Sequence, residues 1–148
     1  MSNRSEASFA FTHHVRDQCL CLHVQRAARA LARRFDDALR PVGVTQGQFS
    51  LLTALNRAEP PTIGAVANLL ALDRTTLTAN LKPLERRGLV KVIVDPDDRR
   101  SRRLILTAAG LASLAAAAPV WKREHARVER LMHAAGADIM RAGLRQLS

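Results

Sequence analysis

A short loop in the second half of the chain is dense in arginine, which suggests binding to a polyanion. The arginines follow a turn-forming Asp-Pro-Asp-Asp stretch at 95–98, and they are Arg99, Arg100, Arg102 and Arg103. A guanidinium suits both phosphate and the narrow, negatively charged minor groove of DNA. The neighbouring aspartates leave a second interpretation open, in which part of this charge is paired within a surface cluster.

A second set of polar side chains precedes this loop, on the helix predicted over residues 74–87. Leu77, Leu81 and Leu84 repeat at helical spacing and form its buried stripe, so the opposite face is expected to point outward. Short hydroxyl and amide groups there can reach base edges in a major groove, and longer cations suit phosphates. The candidate contacts are Arg74, Thr75, Thr76, Thr78, Asn80, Lys82 and Arg86. A solvated face on an ordinary core helix is the alternative.

The overall charge agrees with an anionic partner. The 148 residues include 23 Lys and Arg against 13 Asp and Glu, which gives a formal net charge of +10. A basic chain of this size favours nucleic acid first and a membrane surface second. Aromatic residues make up only 3%, which argues against single-strand binding by base stacking. The sequence shows neither a membrane-spanning run nor the order of a signal peptide, so we expect a cytoplasmic protein without a membrane partner.

Helices and one hairpin are predicted to position these two groups. Capping signals at Thr45, Thr62 and Asp73 start three short helices, and Gly88 follows the third at a position that ends helices. A β-branched, alternating pattern then predicts a hairpin. The predicted elements are helices over 12–40, 45–57, 62–70 and 74–87, a hairpin over 89–107 with its tip at 95–102, and helices over 108–132 and 136–147. Three short helices followed by a hairpin make a winged helix-turn-helix, in a chain that is otherwise α-helical.

Three segments carry a resemblance to a known family. They are Asp-Arg-Thr-Thr-Leu-Thr at 73–78, Leu-Glu-Arg-Arg-Gly-Leu-Val at 84–90, and the wing from Asp95 through Leu-Thr-Ala-Ala-Gly at 106–110. Together with the long first helix, they make the chain similar to the MarR family of bacterial transcription regulators from about residue 16 to its end. The resemblance implies that Arg100 enters the minor groove and that Asp98 orients it.

The resemblance also implies how the chain is organised and what it does. Residues 1–44 would form an N-terminal dimerisation helix, 45–107 the winged helix-turn-helix DNA-binding domain, and 108–148 the C-terminal dimerisation helices. The function implied is that of a homodimeric repressor of transcription on a pseudo-palindromic DNA operator. A small aromatic or phenolic effector would release it. One departure from the family pattern is Pro83, which lies inside the helix predicted over residues 74–87, here called the reading helix, and is expected to kink it.

Cys21 matches the place of the reactive cysteine in the organic-hydroperoxide-sensing branch of that family. A thiol-based repressor acting through Cys21 is therefore an alternative function. That branch uses tyrosines to hold the oxidised thiol, whereas this sequence contains no Tyr and has Phe35 and Gln46 at the matching places. A small buried side chain is the simpler interpretation of a lone cysteine in a helix.

The remaining candidates concern ligands, metals and catalysis. Phe9, Phe11, His23 and Trp121 are candidate liners of an effector pocket, although helix packing alone would explain Trp121. Cys19 and His23 have a spacing that can chelate a metal from one helix face, but a third converging ligand is missing, so no metal site is predicted. No catalytic residue, cofactor or enzyme activity is expected. A basic winged-helix adaptor for an acidic protein is the other class kept open.

Overall fold

The structure is a computed structural model, and it describes residues 6–133 and 135–148. A 3₁₀ turn at Arg40–Val42 follows the second helix. The main elements are α1 (Phe9–Gln18), α2 (Leu20–Leu39), α3 (Gln46–Leu55), α4 (Ile63–Leu69), α5 (Arg74–Arg86), strands β1 (Val90–Val94) and β2 (Arg102–Leu106), α6 (Ala108–Glu129) and α7 (Gly136–Arg145). The prediction of a mainly helical chain with one hairpin is confirmed. Within the described residues, no helix is both long and apolar enough to cross a lipid bilayer.

The chain divides into two compact units, one up to Arg34 and one from Phe35 to Ser148. The first unit contains α1 and most of α2, and the second contains everything that follows. This division falls earlier than the predicted end of the N-terminal arm at residue 44. The predicted roles of the three segments remain predictions.

The expectation of one continuous helix over residues 12–40 is wrong, because the helical path breaks at Cys19. This residue has extended dihedrals, with φ −71° and ψ 108°. Its Sγ accepts a hydrogen bond from Leu22 N at 3.5 Å, so the thiol takes the place of a capping side chain at the start of α2. Cysteine is not among the residues that commonly cap helices, so the sequence pattern gave no sign of the break.

The capping signals in the second unit are confirmed by hydrogen bonds. Thr45 Oγ1 accepts from Gln48 N at 3.2 Å, and Gln48 Oε1 accepts from Thr45 N at 3.1 Å, which makes a reciprocal capping box. The side chains of Thr62 and Asp73 accept backbone N–H groups at the starts of α4 and α5 in the same way. Because each cap satisfies donors that the first helical turn leaves open, these three starts are fixed by local chemistry.

Two turns join the reading helix to its neighbours. Between α4 and α5 the chain passes through Ala71 at φ 50°, a left-handed conformation that a non-glycine residue seldom adopts. After α5, Gly88 has φ 69° and donates its N–H to Glu85 O, while Leu89 N donates to Leu84 O, both at 2.9 Å. This pair of bonds is a Schellman motif, and it turns the chain directly into β1.

The hairpin pairs on both edges of its second strand. β1 and β2 are antiparallel, with a register that runs from Val90 opposite Leu106 to Val94 opposite Arg102. On the other edge of β2, Leu104 N donates to Pro61 O at 2.9 Å. The hairpin is therefore tied to the loop before α4, and its tip comprises residues 95–101.

One core holds the second unit together. It combines the end of α2, the three short helices, the hairpin and α6. The most fully buried large side chains are Leu39, Leu51, Leu52, Val66, Leu77, Leu84 and Leu104. The hairpin and the reading helix therefore share one packed interior, and their relative placement is fixed by that packing.

The start of α6 packs directly against the turn that follows α5. Thr107 Oγ1 accepts from Gly110 N at 3.0 Å and donates to Gly88 O at 2.7 Å. Gly110 is buried there, and a Cβ added to it would lie 2.1 Å from Leu89 O and 2.6 Å from Leu106 Cδ1. Only glycine permits this approach of helix to backbone.

The substitution Gly110→Ala should therefore destabilise the fold. Because the obstacle is a backbone carbonyl, we expect the free energy of unfolding to fall by about 1–3 kcal/mol, the usual cost of overpacking. Gly143→Ala is the matched control, since α7 leaves open space around the added Cβ, and it should stabilise the helix by about 0.5–1 kcal/mol. Urea denaturation of both variants measures the difference. A Gly110→Ala protein as stable as the control would contradict the close packing.

Candidate nucleic-acid interface

The reading helix α5 buries one face and exposes the other. Leu77, Leu81 and Leu84 are 0%, 2% and 0% exposed, so the predicted burial of these leucines is confirmed. The candidate contact residues on the outer face are all exposed, and they are Arg74, Thr75, Thr76, Thr78, Asn80, Lys82 and Arg86. Ala79 lies among them, and its short side chain allows a ligand to approach the helix closely. Pro83 lies inside α5, which continues past it to Arg86.

Two of the threonines use their hydroxyl protons within the protein. Thr76 Oγ1 donates to Asp73 Oδ2 at 2.7 Å, and Thr78 Oγ1 donates to Arg74 O at 2.8 Å. A hydroxyl that has donated its proton keeps acceptor lone pairs. These two side chains can therefore accept hydrogen bonds from base amino groups, but they are poor donors to base acceptors.

Thr75 and Asn80 keep their full hydrogen-bonding capacity. The described part of the chain offers no hydrogen-bond partner to either side chain, and both are exposed on the outer face of α5. A free amide both donates and accepts, which is the combination that pairs with adenine in a major groove. Among the predicted base contacts, these two are the ones whose polar groups are not already engaged.

The first turn of α5 is already capped by a negative charge. Hydrogen bonds from the backbone and hydroxyl of Thr76 hold the pKa of Asp73 below its ordinary value, so the carboxylate stays ionised near neutral pH. This carboxylate occupies the place at the helix N-terminus where a phosphate could otherwise bind. Cationic side chains, not this helix end, must therefore supply any phosphate contact nearby. Arg74, the first residue of α5, carries one such cation, and its guanidinium lies beside Gly64 of α4.

The wing tip is shaped by its own backbone and aspartates. Asp98 Oδ1 accepts from Arg100 N at 2.9 Å, and Asp98 O accepts from Ser101 N at 2.9 Å. Asp95 N closes the tip by donating to Ser101 O at 3.1 Å. Asp98 thus holds the main chain of Arg100, which is how a short acidic side chain can orient an arginine without pairing with its guanidinium.

The four wing arginines differ in what their side chains do. Arg102 Nη1 donates to the carbonyls of Arg99 and Ser101, both at 3.1 Å, and so holds the tip together. Arg103 Nε lies 3.0 Å from Asp95 Oδ1, and its Nη1 donates to Pro60 O at 3.1 Å. For Arg99 and Arg100, the described residues provide no side-chain partner, and both are exposed. The alternative of internal pairing therefore holds for Arg103 and not for the two tip arginines.

The sequence left open that part of the wing charge is paired internally, but it did not show that Arg102 and Arg103 are the two arginines used within the protein. Arg102 was predicted to bind DNA, and its role in holding the tip was missed because carbonyl acceptors leave no sequence signal. The partner of Arg103 at Pro60 is 43 residues away along the chain. The two consecutive prolines at 60–61 restrict the φ angles of this loop.

The candidate liners of an effector pocket lie in different units. Phe9 and Phe11 are 88% and 53% exposed in the first unit, where His23 Nδ1 lies 2.8 Å from Cys19 O. Trp121 belongs to the second unit, and its ring stacks against those of Phe49 and His125 at centroid distances of 5.9 and 4.5 Å. The four residues as one pocket remain a prediction.

The two cysteines are free thiols. Cys21 is exposed, and its Sγ accepts from Gln25 Nε2 at 3.2 Å. The chelating geometry considered for Cys19 and His23 assumed an unbroken helix and is wrong, because the helix breaks at Cys19. Over residues 6–133 and 135–148, no three His, Cys, Asp or Glu side chains cluster closely enough to hold a metal ion.

The fold and this surface define a winged helix-turn-helix protein, and comparison with known proteins agrees. A family model described as "MarR family" matches residues 42–101. The transcriptional regulator MosR of M. tuberculosis, solved in complex with DNA, is 37% identical. That comparison covers 88% of this chain and 93% of MosR, with a TM-score of 0.80. The transcriptional repressor CouR, bound to a 23-mer DNA duplex, is 30% identical over 90% of this chain and 94% of CouR, with a TM-score of 0.79.

A curated relative is similar over a shorter stretch. The transcriptional activatory protein BadR of Rhodopseudomonas palustris is 33% identical over 94 residues, which are 62% of this chain and 54% of BadR. The match thus spans about half the length of that relative. Taken with the two solved structures, it places the chain among transcriptional regulators and not among enzymes, as predicted. The chain belongs to the MarR family.

The cap at Asp73 should matter for stability in a pH-dependent way. Asp73→Ala removes the acceptor for Thr76 N and should lower the urea midpoint, whereas Asp73→Asn keeps an acceptor and should lose less. Because the folded pKa of Asp73 is lowered, the advantage of Asp over Asn is complete above about pH 4 and disappears as the pH falls through the folded value.

Urea titrations of the three proteins between neutral and acidic pH measure this dependence. The stability of Asp73→Asn relative to the unchanged protein is the informative quantity, since it isolates the charge from the hydrogen bond. An Asp-over-Asn advantage that grew towards low pH would contradict the charged cap.

Proposed function

We propose that the chain is a homodimeric repressor that binds a specific double-stranded DNA operator and is released by a small aromatic ligand. The observation that carries the proposal is two sets of exposed polar side chains that the described residues leave without an internal partner. Over residues 6–133 and 135–148, the side chains of Thr75 and Asn80 on α5 and of Arg99 and Arg100 at the wing tip are exposed and have no hydrogen-bond or ion-pair partner. DNA in the solved complexes of MosR and CouR supports the same choice of partner.

The two parts of this surface suit different features of a duplex. The outer face of α5 has short side chains around Ala79, which allow a helix to approach base edges in the major groove. The wing tip exposes Arg99 and Arg100, which have no partner in the part of the chain that the structure describes, and arginine side chains suit a narrow minor groove. Lys82 and Arg86 lie further along α5, where they suit phosphates. Much of the affinity should therefore depend on salt.

Exposed apolar side chains support the homodimer. In the first unit, Leu20, Val24 and Leu31 are exposed along α2. In the second unit, α7 exposes Ile139 and Met140 together with Leu144. A helix with a large uncovered apolar face normally packs against a partner. Dimerisation through the terminal helices would cover these faces, and a dimer is what a pseudo-palindromic operator requires.

Repression and ligand release are the finer parts of the proposal. CouR, which the chain matches over nearly its whole length, is a repressor, whereas the activator BadR is matched over about half of its length. A ligand would act by favouring a dimer whose reading helices no longer fit successive major grooves. We favour a ligand over oxidation of Cys21, because the sequence has no tyrosine to hold the oxidised form of the thiol.

Replacing Arg100 should test the DNA-binding surface directly. Arg100→Ala removes a side chain that has no partner among the described residues, so the fold and the dimer should persist while operator affinity falls about tenfold or more. A gel shift with the DNA upstream of the chain's own gene, run at two salt concentrations, measures the loss. Size-exclusion chromatography checks the dimer.

The matched control for this variant is Lys91→Ala. Lys91 is an exposed cation on β1, opposite Ile105 in the same hairpin. Replacing it removes one positive charge from the hairpin and leaves the tip residues unchanged. Its effect should be confined to a small, salt-sensitive loss. Equal losses in the two variants would mean that the wing contributes charge alone. Tighter binding to an acidic protein than to any duplex would favour the adaptor alternative.

The thiol alternative makes a separate prediction. If a ligand and not oxidation releases DNA, mild peroxide should leave operator binding unchanged while labelling of free thiols reports whether Cys21 has reacted. A Cys21→Ser protein provides the control. Release by peroxide in the unchanged protein, lost in Cys21→Ser, would replace ligand release by redox sensing.

A further inference from the structure

Arg103 makes contacts that no other wing arginine makes. It lies on β2 opposite Ile93, and its side chain is only 26% exposed. Its Nε lies 3.0 Å from Asp95 Oδ1, its Nη2 lies 3.7 Å from Asp97 Oδ2, and its Nη1 donates to Pro60 O at 3.1 Å. One guanidinium thus touches both the start of the wing tip and the loop that precedes α4.

The partner carboxylate is part of the tip itself. Asp95 is 5% exposed, and its Oδ1 also accepts from Asp97 N at 3.0 Å, which starts the turn. A buried carboxylate is tolerated when hydrogen bonds and a counter-charge compensate it. Both are present here, because the Asp97 N–H and the Arg103 guanidinium together lower the pKa of Asp95. The conformation at the start of the tip therefore depends on Arg103.

The other contact of Arg103 reaches the helices. Pro60 lies in the loop before α4, and the backbone of that loop pairs with β2 through Leu104 N and Pro61 O at 2.9 Å. Thr62, which caps α4, also forms an isolated antiparallel β-bridge with Arg103 through the backbone. The loop is rigid at its two prolines and continuous with α4. Arg103 therefore links the wing tip to the same body that carries the reading helix.

Such a link matters because the core packs the strands of the hairpin, through Val90 and Leu104, but includes no residue of the tip. The tip spans residues 95–101 beyond the last pair of the ladder, and Arg99 and Arg100 lie within it. Movement at the base of the tip would be amplified at its end. Holding the base lowers the ordering cost that must be met when the tip enters a groove.

We propose that Arg103 is a positioning residue that fixes the wing tip, and with it Arg100, relative to the reading helix, and that it strengthens DNA binding without contacting DNA. This inference rests on the proposed function. It differs from the prediction for Arg100 in its cause. Replacing Arg100 would remove a contact with the duplex, whereas replacing Arg103 would disturb the position of the tip from which Arg100 makes that contact.

The test compares Arg103→Met with Lys91→Met. Methionine keeps an unbranched stem in both places, and each variant removes one positive charge from the same hairpin. Arg103→Met should weaken operator binding about tenfold or more, and Lys91→Met only slightly. The cost of Arg100→Ala should also shrink in the Arg103→Met background, because a misplaced tip gains little from its arginine.

A second measurement needs no DNA. Amide hydrogen exchange at Arg100 and Ser101, whose N–H groups bond to Asp98, should be faster in Arg103→Met than in Lys91→Met or the unchanged protein. If Arg103→Met does not fold, Arg103→Lys takes its place. Lysine keeps the charge but lacks the planar fork that reaches both partners, so it should also raise exchange at the tip.

The results separate this inference from the proposed function. Unchanged exchange at the tip would overturn the positioning role, and so would additive costs of Arg103→Met and Arg100→Ala. Equal effects of Arg103→Met and Lys91→Met on affinity would also overturn it, because charge alone would then explain both. If the unchanged protein binds no duplex, the proposed function fails, while the exchange measurement still decides whether Arg103 fixes the tip.

Discussion

Burial of the leucine stripe of α5 is the constraint on which the candidate interface depends. Leu77, Leu81 and Leu84 lie at a helical spacing and all enter the core. Once they are inside, the rotation of the helix is set, and its short polar side chains must point outward. The same core includes Leu104 of β2, so the wing is placed by the packing that places the reading helix. Packing of the core thus determines which side chains of α5 and of the wing are exposed.

Local signals predicted the helices and the hairpin of the second unit, but they missed the break that separates α1 from α2. The caps at Thr45, Thr62 and Asp73 were predictable because a capping side chain bonds to the backbone two or three residues ahead. The break at Cys19 was not, since a thiol cap has no recognised pattern. The turn at Ala71 was also invisible, because a left-handed residue is normally marked by glycine or asparagine.

The candidate site was also predictable only in part. Sequence spacing identified which face of α5 is exposed, because helical periodicity is a property of neighbouring residues. It could not separate Arg99 and Arg100 from Arg102 and Arg103, since that difference depends on which carbonyls and carboxylates lie within reach. The residue type gives the charge of a side chain, whereas the folded structure determines whether that charge already has a partner within the protein.

The use of acidic residues explains how a surface with several aspartates can still favour an anion. Asp73 bonds to the start of α5, and Asp98 bonds to the backbone of the wing tip. Asp95 is buried beside Arg103, which neutralises it. Asp73 and Asp98 keep their charge but direct acceptor oxygens to the protein's own N–H groups, whereas the charge of buried Asp95 is compensated by Arg103, so its repulsion of phosphate is reduced. Arg99 and Arg100 have no such internal partner within the described residues, and their positive charge is left for a ligand outside the chain.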